Sequence, residues 1–214
     1  MPIITTQNTI TTMLIDLDET VYPASSGLWP VLRERMDHYL SERMGFDPQE
    51  VSELRERLFN NYGTTMRGLQ QEFTVKADDF LEYVHDVPLE QYLKPDAALK
   101  AALSVYPQDK YIFTNASHQH AERILKLMGL SGCFKGIIDI MDIAPWCKPN
   151  PEAYQVAMRI TAEGDPQRIL MVDDRVENLM AARELGIAVV LVGDEPVDGI
   201  PSIQILAEIG KVFK

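Results

Sequence analysis

Cysteine is scarce in this chain, and long apolar runs are absent. Of 214 residues, only Cys133 and Cys147 carry thiols. They match neither a zinc spacing nor a disulfide framework, so the expectation is two reduced thiols in a cytoplasmic protein. No apolar run approaches the ~18 residues that cross a bilayer. The opening MPIITTQNTI has no basic region ahead of an apolar core, so no signal peptide is expected. Basic clusters are missing too. Twenty Lys and Arg stand against 32 Asp and Glu, a formal charge of −12. That balance leaves no electrostatic footprint for a nucleic acid polymer, and no polybasic run marks a membrane surface. It also opposes anions at long range. A phosphate site here must be made locally attractive by a metal, a lysine or backbone N–H groups.

What is present is an ordinary globular balance, 46% hydrophobic and 24% charged, enough for one core or a core plus a small insert. No repeat or low-complexity tract appears. Short apolar, β-branched runs at 12–15, 111–113, 137–138, 169–172 and 188–192 read as buried strands. Helical patterns separate most of them. One runs from Ala121 to Met128, one starts at Pro151, and one covers Asn178 to Leu185 and closes at Gly186. Alternation of this kind predicts an α/β fold, a doubly wound parallel sheet covered on both faces. From Pro30 to about Asp86 the alternation stops. Val31, Leu32, Met36 and Leu40 recur at helical spacing, and so do Val51, Leu54, Leu58 and Phe59 after an expected start at Asp47-Pro48. Asp78 to Val84 suggests another short helix. The expected organisation is a core of 1–23 and 89–214 with a helical cap, 24–88, inserted after the first strand.

Chemistry-bearing residues gather at the predicted strand ends. The first strand runs into Asp16-Leu17-Asp18-Glu19-Thr20. Side chains alternate along an extended chain, so Asp16 and Asp18 can project to one side. Two such carboxylates repel unless a cation or proton intervenes. The second strand ends in Thr114-Asn115, a hydroxyl followed by a backbone N–H, which can cradle an anion or cap a helix. Lys148 is held in CKPNP, where prolines stiffen the backbone. The strand ILMV ends in Asp173-Asp174, and hard cations such as magnesium take oxygen ligands of this kind. Each signal has an ordinary structural reading as a turn, a cap or an exposed lysine. Their joint position at one sheet edge, where ligands of doubly wound sheets bind, points to a site.

In order, DLDET, TN, the lysine of CKP and DD resemble the four motifs of the haloacid dehalogenase-like (HAD) superfamily, over about residues 13–192. The resemblance implies a Rossmann-like phosphatase. Asp16 would attack phosphorus and form an aspartyl-phosphate. Asp18 would protonate the leaving oxygen and then activate water. Thr114 and the Asn115 backbone would hold phosphate oxygens, and Lys148 would neutralise the nucleophile and phosphate. Mg2+ would be held by Asp16, the Asp18 carbonyl and Asp174, with Asp173 close behind or through water. The founding dehalogenases lack the second acid and the metal, so Asp18 favours a phosphate substrate. A receiver-type signalling module groups similar residues, but has neither a cap nor an acid at the Asp18 position.

Three further stretches, DLDETVYP, NYGTTMRGL and FTNASHQHAERILKLMGL, are similar to the pyrimidine 5′-nucleotidase type of that superfamily. That implies small phosphate monoesters, nucleotides such as UMP or CMP, as substrates. Phosphatases or mutases acting on sugar phosphates or phosphoglycolate are the alternative. In the cap, Tyr62 would stack on a base or sugar, with Thr64, Thr65 and Arg67 as hydrogen-bonding groups. Tyr62 as cap core and Arg67 as a surface cation are the competing readings. The two glycines of this stretch suit tight turns or close approach. His118 and His120 read as packing or solvated side chains, while Trp29 and Trp146 are candidates for the cleft border.

Overall fold

The computed structural model describes residues 9–195 and 197–213. Most of the stretch read for a signal peptide lies outside those residues, as do small parts of the two expected core segments. The described chain forms a six-stranded, all-parallel sheet of order β3-β2-β1-β4-β5-β6. The strands are β1 (Thr12–Ile15), β2 (Asp109–Phe113), β3 (Gly136–Ile138), β4 (Ile169–Asp173), β5 (Ala188–Val192) and β6 (Ser202–Ile203).

Alternation along each strand divides the core. Met13, Ile15, Ile112 and Val172 pack into one face, and Leu14, Phe113, Met171 and Leu191 into the other. Both faces are covered by helices, which is why the strands read as continuous apolar runs. Register then fixes the site. Ile15 lies opposite Ile112 on one side and Val172 on the other. Asp16 and Asp173 therefore leave adjacent strands at the same level, and the Asp16 N–H donates to the Val172 carbonyl at 2.9 Å. β1 is also where strand order reverses direction, the position at which open α/β sheets form a crevice.

Among the described residues no strand intervenes between β1 and β2. Five α-helices fill that stretch, the first four being α1 (Leu28–His38), α2 (Val51–Tyr62), α3 (Thr65–Glu72) and α4 (Ala77–His85). A short π-helical segment, Tyr39–Arg43, continues α1. The remaining helices are α5 (Ala97–Ser104), α6 (His118–Leu127), α7 (Pro151–Thr161) and α8 (Val176–Glu184). No helix among the described residues is long and apolar enough to cross a membrane.

Local chemistry explains where the sequence expectation and the structure differ. α2 starts at Val51 rather than at Asp47-Pro48, because the Asp47 carboxylate accepts the Gln49 N–H at 2.9 Å and holds a turn. α3 occupies a stretch expected to turn at two glycines. Gly63 does close α2 with a left-handed φ of +80°, but the Thr64 hydroxyl then accepts the Arg67 N–H at 3.1 Å and starts a helix running through Gly68. α5 is alanine-rich and capped by Asp96, which accepts the Leu99 N–H at 2.8 Å. β6 has only two residues and carries no legible period.

Gly68 serves close packing. A Cβ there would meet Leu58 Cβ at 2.7 Å and Cδ2 at 2.8 Å. Overpacking of this kind costs about 1–3 kcal/mol, against a helix-propensity gain of about 1 kcal/mol. Gly68→Ala should therefore lower the urea midpoint by the equivalent of up to about 2 kcal/mol. A raised midpoint would contradict the close crossing of α2 and α3.

Candidate active site

The carboxyl ends of β1, β2 and β4 open on a common crevice. At its floor, Lys148 Nζ donates to Asp16 Oδ1 at 2.6 Å and to Asp173 Oδ2 at 2.7 Å. The Lys148 side chain is 1% exposed. Its backbone is gripped as well: the Asn115 amide donates to the Lys148 carbonyl at 3.0 Å and accepts the Lys148 N–H at 2.9 Å. Asn115, expected to act through its backbone, thus fixes the lysine loop with its side chain. Thr114, 1% exposed, accepts the Ala116 N–H at 2.9 Å through its hydroxyl.

The acidic pair after β4 divides in environment. Asp173 is fully buried and saturated. It accepts Lys148, the Arg175 N–H at 2.9 Å, and the Asn178 amide at 3.0 and 3.1 Å on its two oxygens. Asp174 faces the cavity, with the Thr20 hydroxyl at 3.4 Å. Asp16, Asp173 and Asp174 each offer an oxygen within 4.8 Å of the others. Three carboxylates face one ammonium, so negative charge is in surplus. Burial pushes Asp16 well above the usual carboxylate range; Lys148 opposes this, while Asp173, Asp174 and Asp18 add to it. Burial, then Asp173, push Asp174 up to about 7. Hard oxygen donors with surplus negative charge fit a divalent cation such as magnesium.

Asp18 borders the same cavity. The Tyr22 hydroxyl donates to its Oδ1 at 2.6 Å, and His120 Nε2 lies 3.7 Å from that oxygen. The cavity, about 560 Å³, has Asp16, Asp18, Thr114, Asn115, Lys148 and Asp174 at its base. Its other wall is largely apolar and comes from α1, α2 and α4, including Trp29, Met36, Phe59 and Phe80.

The four expected cap residues separate. Thr64 and Thr65 border the cavity. Tyr62 and Arg67 do not, and their expected substrate contacts need correction. Arg67 is 6% exposed and fully engaged. It donates to the Ile140 carbonyl at 2.6 Å, the Trp146 carbonyl at 3.0 and 3.2 Å, and Gln70 at 2.8 Å. It ties α3 to the loop before Lys148. The Tyr62 hydroxyl pairs with Glu72. Of the two tryptophans, Trp29 borders the cavity and Trp146 does not.

Sequence reading passed over several neighbours of the site. Glu19 borders the cavity with a left-handed φ of +59°, a conformation unusual for a glutamate. Arg33, Arg55 and His85 also line it. Tyr22 was legible only as part of a family-like string, since nothing in a tyrosine after a motif announces a buried hydroxyl. His120 falls on the buried face of α6 with Ile124, and that spacing alone says core.

Comparison with known proteins gives concordant matches. The family model for haloacid dehalogenase-like hydrolases matches residues 10–186. Phosphate metabolism protein 8 of Saccharomyces cerevisiae is 28% identical over 192 residues. The match covers 82% of this chain but 59% of the yeast protein, so the chain spans about three-fifths of that relative. A HAD phosphatase from Thermococcus onnurineus superposes with a TM-score of 0.64 at 19% identity, over 95% of this chain and 97% of that one. The HAD-hydrolase YfnB of Bacillus subtilis, bound to magnesium, gives 0.65 at 16% identity, over 95% and 98%. At such identities the two structures establish a shared fold.

The elevated Asp174 sets a pH dependence. Its folded-state value, about 7, exceeds the ordinary 3.8. Ionising it therefore costs folding stability as pH rises from about 4 to 7, and a bound cation offsets that cost. A divalent cation held by Asp174 would have to displace a proton at pH 6 but not at pH 8. Calorimetric titration with Mg2+ should show binding at least about tenfold weaker at pH 6 than at pH 8, since burial raises Asp16 as well, with proton release into the buffer. Binding independent of pH would contradict this.

Proposed function

The chain belongs to the haloacid dehalogenase-like hydrolases, and from that premise we propose a magnesium-dependent phosphatase acting on small phosphate monoesters through an aspartyl-phosphate. The observation that carries the proposal is the buried Asp16–Lys148–Asp173 bridge, with Asp18 on the same cavity. Asp16 is the nucleophile. Lys148 keeps its oxygen oriented and neutralises charge as the carboxylate meets an anionic ester. The Thr114 hydroxyl and the backbone N–H of Asn115 hold equatorial phosphate oxygens. Asp18 gives a proton to the leaving oxygen. It then takes one from the water that attacks phosphorus, cleaving the Asp16 acyl phosphate to free phosphate and carboxylate. Magnesium, when bound, supplies positive charge against the nucleophile and phosphate oxygens. The residues to hold it are Asp16, the Asp18 carbonyl and Asp174. The four hydrogen bonds already accepted by Asp173 favour Asp174 as the direct ligand, with Asp173 fixing Lys148.

Residues 24–88 act in this reading as a cap over a core of 1–23 and 89–214, excluding water from the reaction. The presence of Asp18 favours phosphate ester cleavage over dehalogenation, which has no leaving oxygen to protonate. For the substrate we favour nucleoside 5′-monophosphates such as UMP or CMP. A cavity of about 560 Å³ with an apolar wall accommodates a base and sugar beyond the phosphate. Thr64 and Thr65 on that cavity supply hydroxyls for a polar leaving group.

Asp16→Asn and Asp18→Asn should each abolish magnesium-dependent hydrolysis of p-nitrophenyl phosphate, with the circular dichroism spectrum unchanged. Near-normal turnover by either variant contradicts the assignment. In a panel of UMP, CMP, phosphoglycolate and hexose phosphates, the nucleotides should give the highest kcat/KM. Preference for phosphoglycolate or a sugar phosphate would replace the nucleotide assignment, and a requirement for a bisphosphate activator with little phosphate release would indicate a mutase.

A further inference from the structure

Two buried side chains meet Asp18 and have no part in the mechanism above. Tyr22 is fully buried, and its hydroxyl makes one short hydrogen bond, to Asp18 Oδ1. His120 is 1% exposed, and neither ring nitrogen has a hydrogen-bond partner among the described residues. A buried, unpaired imidazole nitrogen is costly and calls for a physical account. Its Nε2 points at Asp18 Oδ1 from 3.7 Å. N–H···O bonds close at about 2.7–3.2 Å, so a shift of roughly half an ångström by Asp18 completes one.

The ring is held where it is. It stacks on His85, centroids 4.0 Å apart and planes 12° off parallel. His85 Nδ1 pairs with the Ser117 hydroxyl at 2.9 Å, and the same hydroxyl caps α6 by accepting the His120 N–H at 3.4 Å. The stack is thereby anchored to the start of the helix that carries His120.

We propose that Tyr22 and His120 are positioning residues that fix one oxygen of Asp18, Oδ1, so that the other, Oδ2, is presented to the leaving group. This rests on reading Asp18 as the acid of a phosphatase. Both contacts to the carboxyl fall on Oδ1. An oxygen that accepts from a neutral hydroxyl does so whether or not the other oxygen carries a proton. The anchor therefore persists while Oδ2 first donates a proton and later accepts one. The stacked imidazole blocks rotation of the carboxyl toward α6 and supplies a second donor when Asp18 moves.

Leaving-group dependence separates this role from plain packing. An ester with a poor leaving group needs its oxygen protonated; p-nitrophenolate departs with little help. Steady-state kinetics with saturating magnesium on p-nitrophenyl and phenyl phosphates are to be measured for Tyr22→Phe, His120→Phe and His120→Gln, beside Asp18→Asn. Tyr22→Phe and His120→Phe should each lose about tenfold more kcat/KM, which reports the step that releases the alcohol, on phenyl phosphate than on p-nitrophenyl phosphate. His120→Gln, which restores a donor near Nε2, should recover part of the difference. Equal losses on the two esters, or none, overturn the proposal. If Asp18→Asn stays active, the phosphatase reading itself falls. If it is dead while the losses are uniform, only the positioning role falls. Should Tyr22→Phe fail to fold by circular dichroism, the two His120 variants decide.

Discussion

An ammonium group with 1% exposure is stable only where opposite charge surrounds it, and Lys148 meets that condition through two carboxylates on adjacent strands. Much of the molecule is arranged to satisfy it. β1 delivers Asp16, β4 delivers Asp173, and the parallel register brings them level. Asn115, just beyond β2, grips the backbone of the lysine. Asn178, one turn into α8, holds the far carboxylate. Segments distant in sequence are thus tied at one point. The pairing is incomplete in charge, because Asp174 stands beside it. Burial first, and that surplus with it, raise Asp16 and Asp174 together and make the site receptive to a cation.

The helical stretch and the sheet are joined through the loop that carries Lys148. Arg67 on α3 holds the Trp146 carbonyl, and the Cys147 thiol approaches the Tyr62 carbonyl at 3.3 Å. Gly63 leaves room for this approach, since a Cβ there would lie 2.8 Å from Cys147 Sγ. The α2–α3 junction therefore braces the lysine from above while Asn115 braces it from below. Arg67 and Tyr62 matter for the site through this support, without reaching the cavity. An arginine whose donors meet two carbonyls and a glutamine has little left with which to recognise a ligand.

Strand positions and the acidic and basic residues at strand ends were legible because parallel strands buried on both faces leave continuous apolar runs, and polar residues at their ends stand out. The sheet and the co-location of Asp16, Lys148 and Asp174 follow from that pattern. The helices near residues 65–72 and 97–104 were not legible. One is entered through a glycine-threonine junction that resembles a turn, and the other lacks a strong apolar stripe. The direction of each cap side chain was beyond reach for a different reason. Helical period says which residues share a face, but whether that face meets a cavity or a loop depends on how the helices cross. Tyr62 and Arg67 fell on the wrong side of that distinction. Tyr22 and His120 carry the signature of core residues and differ from core only in what their polar atoms meet.

On the proposed activity, a chain of formal charge −12 must still receive a doubly charged ester. Screening over about 8 Å at physiological salt limits the reach of the acidic surface. Inside the crevice distances are shorter and the dielectric lower, so the balance is set locally by Lys148, backbone N–H groups and, in the proposed reaction, a cation. The same local accounting explains why the acidic groups tolerate one another. Asp18 is held on one oxygen by a neutral hydroxyl rather than by a charged partner. A lysine in that position would fix the carboxyl in its ionised form and remove the proton it must carry. A neutral donor orients the group and leaves its protonation free to change, which the proposed alternation of Asp18 between acid and base requires.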